Sequence, residues 1–316
     1  FVDLLDGVFQ FIQDGHVELS DDVENQSADL EVASAHIEFS NGDCEHRWCS
    51  ECLILGEGLD RTGLRTAVSD MGSSCVVIAG SSSRIRLHAH VSDPMQLFDI
   101  ASRYGRVEAT KADDMQAQSR TAAGNKTVVI ITDTSADIPD DVAEQLNIHW
   151  VPLRISFGEK DYLDKIGLST SQFYHKLRTE LVLPKTSQPS PGDFRRQFEF
   201  LLSHHPHLIY VGLSRAVSGT LQSAETAAAR GHAERIRVFD SANAAGGQGL
   251  LTIAAAEAAK AGSSAEEITQ VLETLRPLTQ TWAITSDISY AVRGGRIPSW
   301  VKPIIQFFGV SPIAKV

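Results

Sequence analysis

The sequence predicts an α/β protein of two domains, a small βαββαβ sandwich followed by a larger domain built on a parallel sheet. Three observations carry this. From residue 45 onward, strand-like and amphipathic stretches follow one another in the order strand, helix, strand, strand, helix, strand. After the polar stretch Ala117 to Lys126 the order changes to regular alternation of strand and helix. The strands of this second part are apolar throughout, as required where helices cover both faces of a sheet.

In the first part, strands are expected at Arg47–Leu55, Cys75–Ala79, Arg84–Val91 and Arg106–Lys111, with helices at Asp60–Met71 and Pro94–Tyr104. Ser92-Asp93-Pro94 supplies a capping residue and a first-turn proline for the second helix. The order is that of a ferredoxin-like sandwich. Gln, Ser, Thr, Gly and Asn dominate Ala117 to Lys126, which reads as a linker. Domains are therefore expected at 1–120 and 127–316, joined by residues 121–126. In the second domain, strands are expected at Val128–Thr132, Ile148–Ile155, Leu208–Leu213 and Ile236–Asp240. Ser190-Pro191-Gly192-Asp193 caps a helix running to Leu202, Gly249–Ala261 is an alanine-rich helix, and Ser263 to Glu267 opens the next.

With 42% apolar and 22% charged residues the chain has the composition of a folded protein, so disorder is not its expected state. The net charge of −12 is local: residues 1–60 hold 15 acidic residues and 1 basic residue. That distribution argues against a nucleic-acid groove and a polybasic membrane patch, both of which need clustered Lys and Arg. No apolar run approaches the roughly 20 residues that span a bilayer, and no signal peptide is visible, so a cytoplasmic location is expected. Cys44, Cys49, Cys52 and Cys75 all lie in the front segment, a clustering that suits a metal or reduced thiols better than a disulfide framework. Phe1 stands inside an amphipathic pattern (Leu4, Leu5, Val8, Phe9, Phe11, Ile12) and Val316 inside a strand-like run, as in an excised piece of a longer protein.

Two groups of residues carry chemistry. On the strand Arg84–Val91, alternation places His88 and His90 on one face with Arg84 and Arg86, while Leu87, Ala89 and Val91 face the core. Cys49, Glu51 and Leu53 share a face of the first strand, so neighbouring strands could gather one thiol and two imidazoles. Cys49, His88 and His90 would leave one open position on zinc; the alternative is a polar sheet face, with Cys49 and Cys52 on opposite sides of a regular strand.

The second group is a set of hydroxyl loops following strands, at the carboxyl ends where open α/β sheets bind ligands. Ser218, Thr220 and the first-turn amides of the helix opened by Ser218-Gly219-Thr220 could grip a carboxylate or phosphate. Lys185-Thr186-Ser187-Gln188-Pro189-Ser190-Pro191 adds a further hydroxyl loop before a capped helix. Asp133, Thr134, Ser135 and Ser214 are secondary candidates, Asp133 as a general base or a cap. Each loop taken singly reads equally as a helix cap. Arg296, after Gly294-Gly295, could complete an anion site or complement a helix terminus. The phosphate-loop, dinucleotide-binding and Gly-x-Ser-x-Gly motifs do not occur, so no nucleotide site is expected.

Six motifs in order then carry a resemblance: Ile-Thr-Asp-Thr-Ser-Ala-Asp-Ile-Pro from 131, Val-Pro-Leu at 151–153, Thr-Ser-Gln-Pro-Ser-Pro-Gly at 186–192, Leu-Ser-x-x-x-Ser-Gly-Thr-x-Gln-Ser-Ala at 213–224, Asp-Ser at 240–241 and Gly-Gly-Arg-Ile at 294–297. From residue 127 to the end the chain resembles the DegV family. That resemblance implies a two-lobed α/β fold enclosing a long-chain fatty acid, its carboxylate on hydroxyls and its tail in an apolar tunnel. By motif position Thr186 and Ser218 look like the carboxylate-binding hydroxyls, with Ser187, Gly219 and Thr220 beside them, and Arg296 looks like the site arginine.

Trp48-Cys49-Ser50-Glu51, His88-Ala89-His90-Val91-Ser92-Asp93-Pro94 and Asp113-Asp114-Met115-Gln116-Ala117-Gln118 resemble the middle domain of fatty-acid kinases, also found in dihydroxyacetone-kinase-like proteins. This implies zinc on Cys49, His88 and His90, and a nucleotide-binding kinase domain upstream of Phe1 or in a partner, with Phe1 to Gly15 similar to the stretch that follows it. The family usually carries Ser-Ser-Gly-Leu-Ser-Gly-Thr where this chain has Ser214-Arg215-Ala216-Val217-Ser218-Gly219-Thr220, which puts a bulky cation near the site. The family's last segment is expected to be missing after Val316, leaving the tunnel open. The expected function is fatty-acid binding that presents the carboxylate for phosphorylation to an acyl phosphate, this chain alone being non-catalytic. The alternatives are part of a dihydroxyacetone-kinase-like fusion enzyme acting on a small polar substrate, or a zinc-stabilised docking module in residues 1–120.

Overall fold

The computed structural model describes residues 46–123, 127–284, 288–308 and 311–316. Cys44 and the amphipathic run at the front lie outside them. The chain divides into two compact units between Met115 and Gln116.

In the first unit, β1 (Trp48–Leu55), α1 (Arg61–Asp70), β2 (Ser74–Gly80), β3 (Arg84–Val91), α2 (Pro94–Ser102) and β4 (Arg106–Asp114) follow in the expected βαββαβ order. The sheet runs β2-β3-β1-β4 with every pair antiparallel, which is the ferredoxin-like arrangement. Asp60 and Asp93 cap the two helices, accepting from the amides of Gly63 and Met95. One face of the sheet, with Cys52, Ile54, Ile85, Leu87, Ala89 and Val91, packs on Leu64, Val68, Leu97, Phe98 and Ala101 of the helices. Alternation then forces Cys49, Glu51, His88 and His90 onto the other face. The segment read as linker begins as a helix, α3 (Met115–Ala123): its alanines and glutamines are good helix formers, and polarity alone does not distinguish a polar helix from a loop.

The second unit is built on a parallel sheet ordered β11-β10-β5-β6, formed by β5 (Val128–Asp133), β6 (Ile148–Val151), β10 (His207–Gly212) and β11 (Ile236–Asp240). Val128, Ile130, Ile209 and Val211 face α4 (Asp140–Leu146), α8 (Ala245–Lys260) and α9 (Ala265–Leu275). Val129, Ile131, Leu208 and Tyr210 face α6 (Pro191–His204) and α7 (Thr220–Ala229). Burial on both sides is why these strands read as continuous apolar runs.

The expected strand Ile148–Ile155 is two strands. Pro152 carries no amide hydrogen for a ladder, and there the chain leaves the main sheet and starts β7 (Arg154–Phe157). β7 pairs antiparallel with β8 (Lys160–Leu163) on one side and β9 (Lys185–Ser187) on the other. This small sheet, with α5 (Thr170–Thr179) between β8 and β9, carries Thr186. The alanine-rich helix α8 starts at Ala245, ahead of the expected Gly249, and two of its early glycines stand at close approaches. A Cβ on Gly249 would collide with the carbonyl oxygen of Ala136, and one on Gly247 with Thr281 Oγ1. Toward the end of the chain come β12 (Trp282–Ile284), α10 (Ser289–Arg293), α11 (Val301–Phe308) and β13 (Ile313–Lys315), with β12 and β13 paired antiparallel.

Candidate functional site

The hydroxyl turn after β10 is built by its own hydrogen bonds. The amides of Val217 and Ser218 both donate to the Ser214 carbonyl, at 3.1 and 3.2 Å, closing one helical turn ahead of α7. Ser218 Oγ accepts from the Thr220 amide at 3.2 Å and lies 2.8 Å from Thr220 Oγ1. Two hydroxyls 2.8 Å apart use one hydrogen between them, so the pair keeps a second for an incoming acceptor. The first-turn amides of α7 add donors without intrahelical partners. Thr220 is buried and Ser218 half-buried, so the donors line the floor of the turn.

The segment after β9 meets this turn through Gln188. Its Nε2 donates to Ser223 Oγ on α7 at 3.1 Å, and its Oε1 occupies the place where a Cβ on Gly219 would stand. Only glycine admits that contact. In β9, Thr186 pairs with Ile155 and Ser187 with Arg154, so the two hydroxyls face opposite sides. Thr186 thus lies on the Ile155 face of the small sheet and Ser187 on the Arg154 face. In the sequence Gln188 is one residue of a motif with no role of its own; an amide before a proline between two hydroxyl loops is the signal that points to it.

The loop after β5 is the best-connected part of the unit. Asp133 is completely buried, and its Oδ2 accepts from Tyr210 Oη at 2.7 Å, Gln248 Nε2 at 3.0 Å and the Leu213 amide at 3.2 Å. Its Oδ1 accepts from the Ser135 amide at 3.1 Å and from the Ser135 hydroxyl. Burial, then the negative charge of Asp133, hold the Tyr210 phenol well above its ordinary pKa. Thr134 accepts from the Leu153 amide at 3.1 Å, and its hydroxyl bonds the half-buried Asp164, whose carboxyl burial pushes up against that bond and the charge of Lys165. Ser214 donates its amide to the Asn243 carbonyl at 2.9 Å and caps Ala216 through its hydroxyl. Asp133, Thr134, Ser135 and Ser214 therefore serve as struts that join strand ends. Gln248, which links Asp133 to Thr132 Oγ1 at 3.1 Å, is not singled out by any motif. Its signal is a polar pair, Gln248 and Thr252, one turn apart on the buried face of an alanine helix.

The two arginines are placed differently. Arg215 Nη1 and Nη2 donate to Glu225 on α7 at 3.0 and 2.5 Å, and its Nε stands 3.8 Å from Asp240 at the end of β11. Arg296 donates to the Gly294 carbonyl at 2.9 Å, closing the end of α10. Among the described residues no hydrogen bond joins Arg296 to the hydroxyl turn.

In the first unit the cross-strand register sets Cys49 opposite His90 and Glu51 opposite His88. The ligand atoms of Cys49, His88 and His90 all lie within 4.8 Å of one another. Cys49 Sγ is 3.9 Å from His88 Nδ1, and Glu51 Oε1 is 3.4 Å from the same nitrogen. Lys111 Nζ bridges Glu51 Oε1 at 3.4 Å and Asp113 Oδ2 at 3.0 Å. Burial, with Asp113 nearby, pushes the Cys49 thiol up to about 12. A bound metal ion would favour the thiolate, and thiolate and imidazole are both zinc ligands. The residues fit such an ion. Cys52 points into the core, away from this cluster.

Residues 127–316 match the DegV family, and residues 45–122 match the FakA-like middle domain of fatty acid kinases. Protein DegV of Bacillus subtilis is 35% identical over 192 residues, which cover 57% of this chain and 68% of that protein. Among solved structures, Bacillus subtilis DegV, a fatty acid binding protein, superposes with a TM-score of 0.54 at 32% identity, covering 60% of this chain and 68% of that one. A fatty acid-binding DegV family protein from Thermus thermophilus superposes with a TM-score of 0.55 at 29% identity, with the same coverage of 60% and 68%. The chain thus spans about two thirds of the length of these relatives.

Proposed function

The chain belongs to the DegV family, and on that premise we propose that it binds a long-chain fatty acid and presents its carboxylate for phosphorylation by a linked or partner kinase domain. The observation that carries this reading is the junction of the Ser218-Gly219-Thr220 turn with the Thr186 segment through Gln188. It gathers neutral hydroxyl and amide donors at the carboxyl end of β10. Such donors suit a head group that gains charge during its working cycle, because no strong ion pair must break when carboxylate becomes acyl phosphate. The tail supplies most of the affinity, at about 0.8 kcal/mol per buried CH₂. Two solved relatives are fatty acid-binding proteins, and the match of residues 45–122 supports the kinase connection.

In the same reading Cys49, His88 and His90 hold zinc. The ion would keep the Cys49 thiol ionised and tie β1 to β3.

Mass spectrometry of a denatured organic extract tests the ligand. A long-chain fatty acid in near-equal molar amount is the expected result. Protein from a lipid-rich host that releases none, or releases only a small phosphorylated or hydroxylated molecule, would overturn the reading.

A further inference from the structure

Arg215 lies in the hydroxyl turn, yet its guanidinium is bound elsewhere. Because the Ser218 amide bonds the Ser214 carbonyl, residues 214–218 form one helical turn. Arg215 and Ser218 are then surface neighbours on it, with Cβ atoms about 5–6 Å apart. The Arg215 amide is fixed separately by Asp240 Oδ1 at 3.4 Å. The guanidinium, however, is bound to both carboxylate oxygens of Glu225. Glu225 lies more than a turn into α7, about 7.5 Å along the axis from Thr220 at 1.5 Å per residue. The cation is thus drawn down the flank of α7, away from the end where the anion-binding donors gather. Both partners are solvent-accessible, with side chains 54% and 40% exposed, and exposed ion pairs of this kind are weak and salt-sensitive.

We propose that Arg215 is a specificity-determining residue that distinguishes the phosphorylated head group from the carboxylate. Glu225 and Asp240 retain its guanidinium on the flank of α7 while a singly charged carboxylate sits on the hydroxyls. A doubly charged phosphate at the Ser218 turn draws it across, since charge-assisted and bidentate bonds to phosphate are stronger and better matched to a guanidinium than those to one exposed carboxylate. The proposal rests on the reading that this turn binds fatty acid; it adds a residue that responds to the product.

The test compares hexadecanoate with hexadecyl phosphate, a hydrolytically stable stand-in for the phosphorylated form. Affinities for both are measured by calorimetry at low and moderate salt on the wild-type chain, Arg215→Gln and Glu225→Gln, with melting temperatures confirming the fold. Arg215→Gln is expected to weaken the alkyl phosphate about tenfold and leave hexadecanoate within about twofold. Glu225→Gln is expected to strengthen the alkyl phosphate several-fold, and the salt dependence of phosphate binding should fall in Arg215→Gln. Equal changes for both ligands, or no change for either, would overturn the role of Arg215 while leaving fatty-acid binding intact. A wild-type chain that binds neither ligand would remove the underlying reading and this proposal with it.

Discussion

Tyr210 donates its phenolic hydrogen to Asp133 across 2.7 Å, and both side chains are fully buried. The bond joins the two central strands of the parallel sheet, β10 and β5, at the end where the candidate ligand site lies. Asp133 has four other donors, from the Gln248 side chain, the Leu213 amide, and the amide and hydroxyl of Ser135. Tyr210→Phe removes one charge-assisted bond without opening a cavity and should cost about 1.5–3 kcal/mol in urea denaturation. Asp133→Ala strips all the donors at once and should cost more than about 3 kcal/mol. A Tyr210→Phe variant as stable as the parent would show that the bond contributes nothing.

Two glycine substitutions should separate binding from stability. In Gly219→Ala the new methyl meets the amide of Gln188, a side chain able to move, so the fold survives and the junction between the hydroxyl loops is lost. Fatty-acid affinity should drop several-fold with little change in melting temperature. In Gly249→Ala the methyl meets the backbone oxygen of Ala136, which cannot move without shifting α8, and a loss of about 1–3 kcal/mol is expected. Equal thermal stability of the two variants would contradict this division.

Zinc content is predicted to follow sheet face. His88→Ala should purify with no stoichiometric zinc by plasma mass spectrometry. Cys52→Ala should keep its zinc, since Cys52 lies in the core cluster, and lose about 1 kcal/mol of stability. Unchanged zinc in His88→Ala, or absence of zinc from the unaltered protein, would remove the metal from the reading.

The capping box of α6 makes a pH-dependent contribution. Burial raises the Asp193 carboxyl, but hydrogen bonds from the Ser190 hydroxyl and amide and the charges of Arg154 and Arg196 outweigh it, so its folded pKa lies below the ordinary carboxylate value. A depressed pKa contributes stability above the unfolded value and loses it as pH falls through the folded one. Asp193→Asn should therefore be less stable than the parent by about 1 kcal/mol at neutral pH. The gap should close below the ordinary carboxylate range; a gap constant down to strongly acid pH would argue against an ionised cap.

Much of the fold is legible in the sequence because its strands carry one of two clear patterns. Strand Arg84–Val91 alternates, so its residues alone assign both the core face and the histidine face, and β5 and β10 are almost wholly apolar runs. The helices begin at visible caps, Asp60, Asp93, Ser190 and Ser264. What stays hidden depends on partners far apart in sequence. Gln188 and Gln248 look like ordinary polar residues until Ser223 and Asp133 are brought to them. Arg215 reads as a cation near the site because nothing local announces that Glu225 will hold it. Pro152 is plain to see as a residue, yet the apolar run around it hides the break it makes.

That break has a mechanical consequence. The strand bearing Thr186 is suspended from the main sheet through the corner at Pro152, and Thr134 pins the corner by accepting the Leu153 amide. The spacing between the two halves of the candidate hydroxyl site therefore depends on the length and angle of this bracket as well as on the Gln188 contact. Lengthening that bracket would retune the reach of the candidate site for a different head group or acyl chain while every donor in it stayed the same.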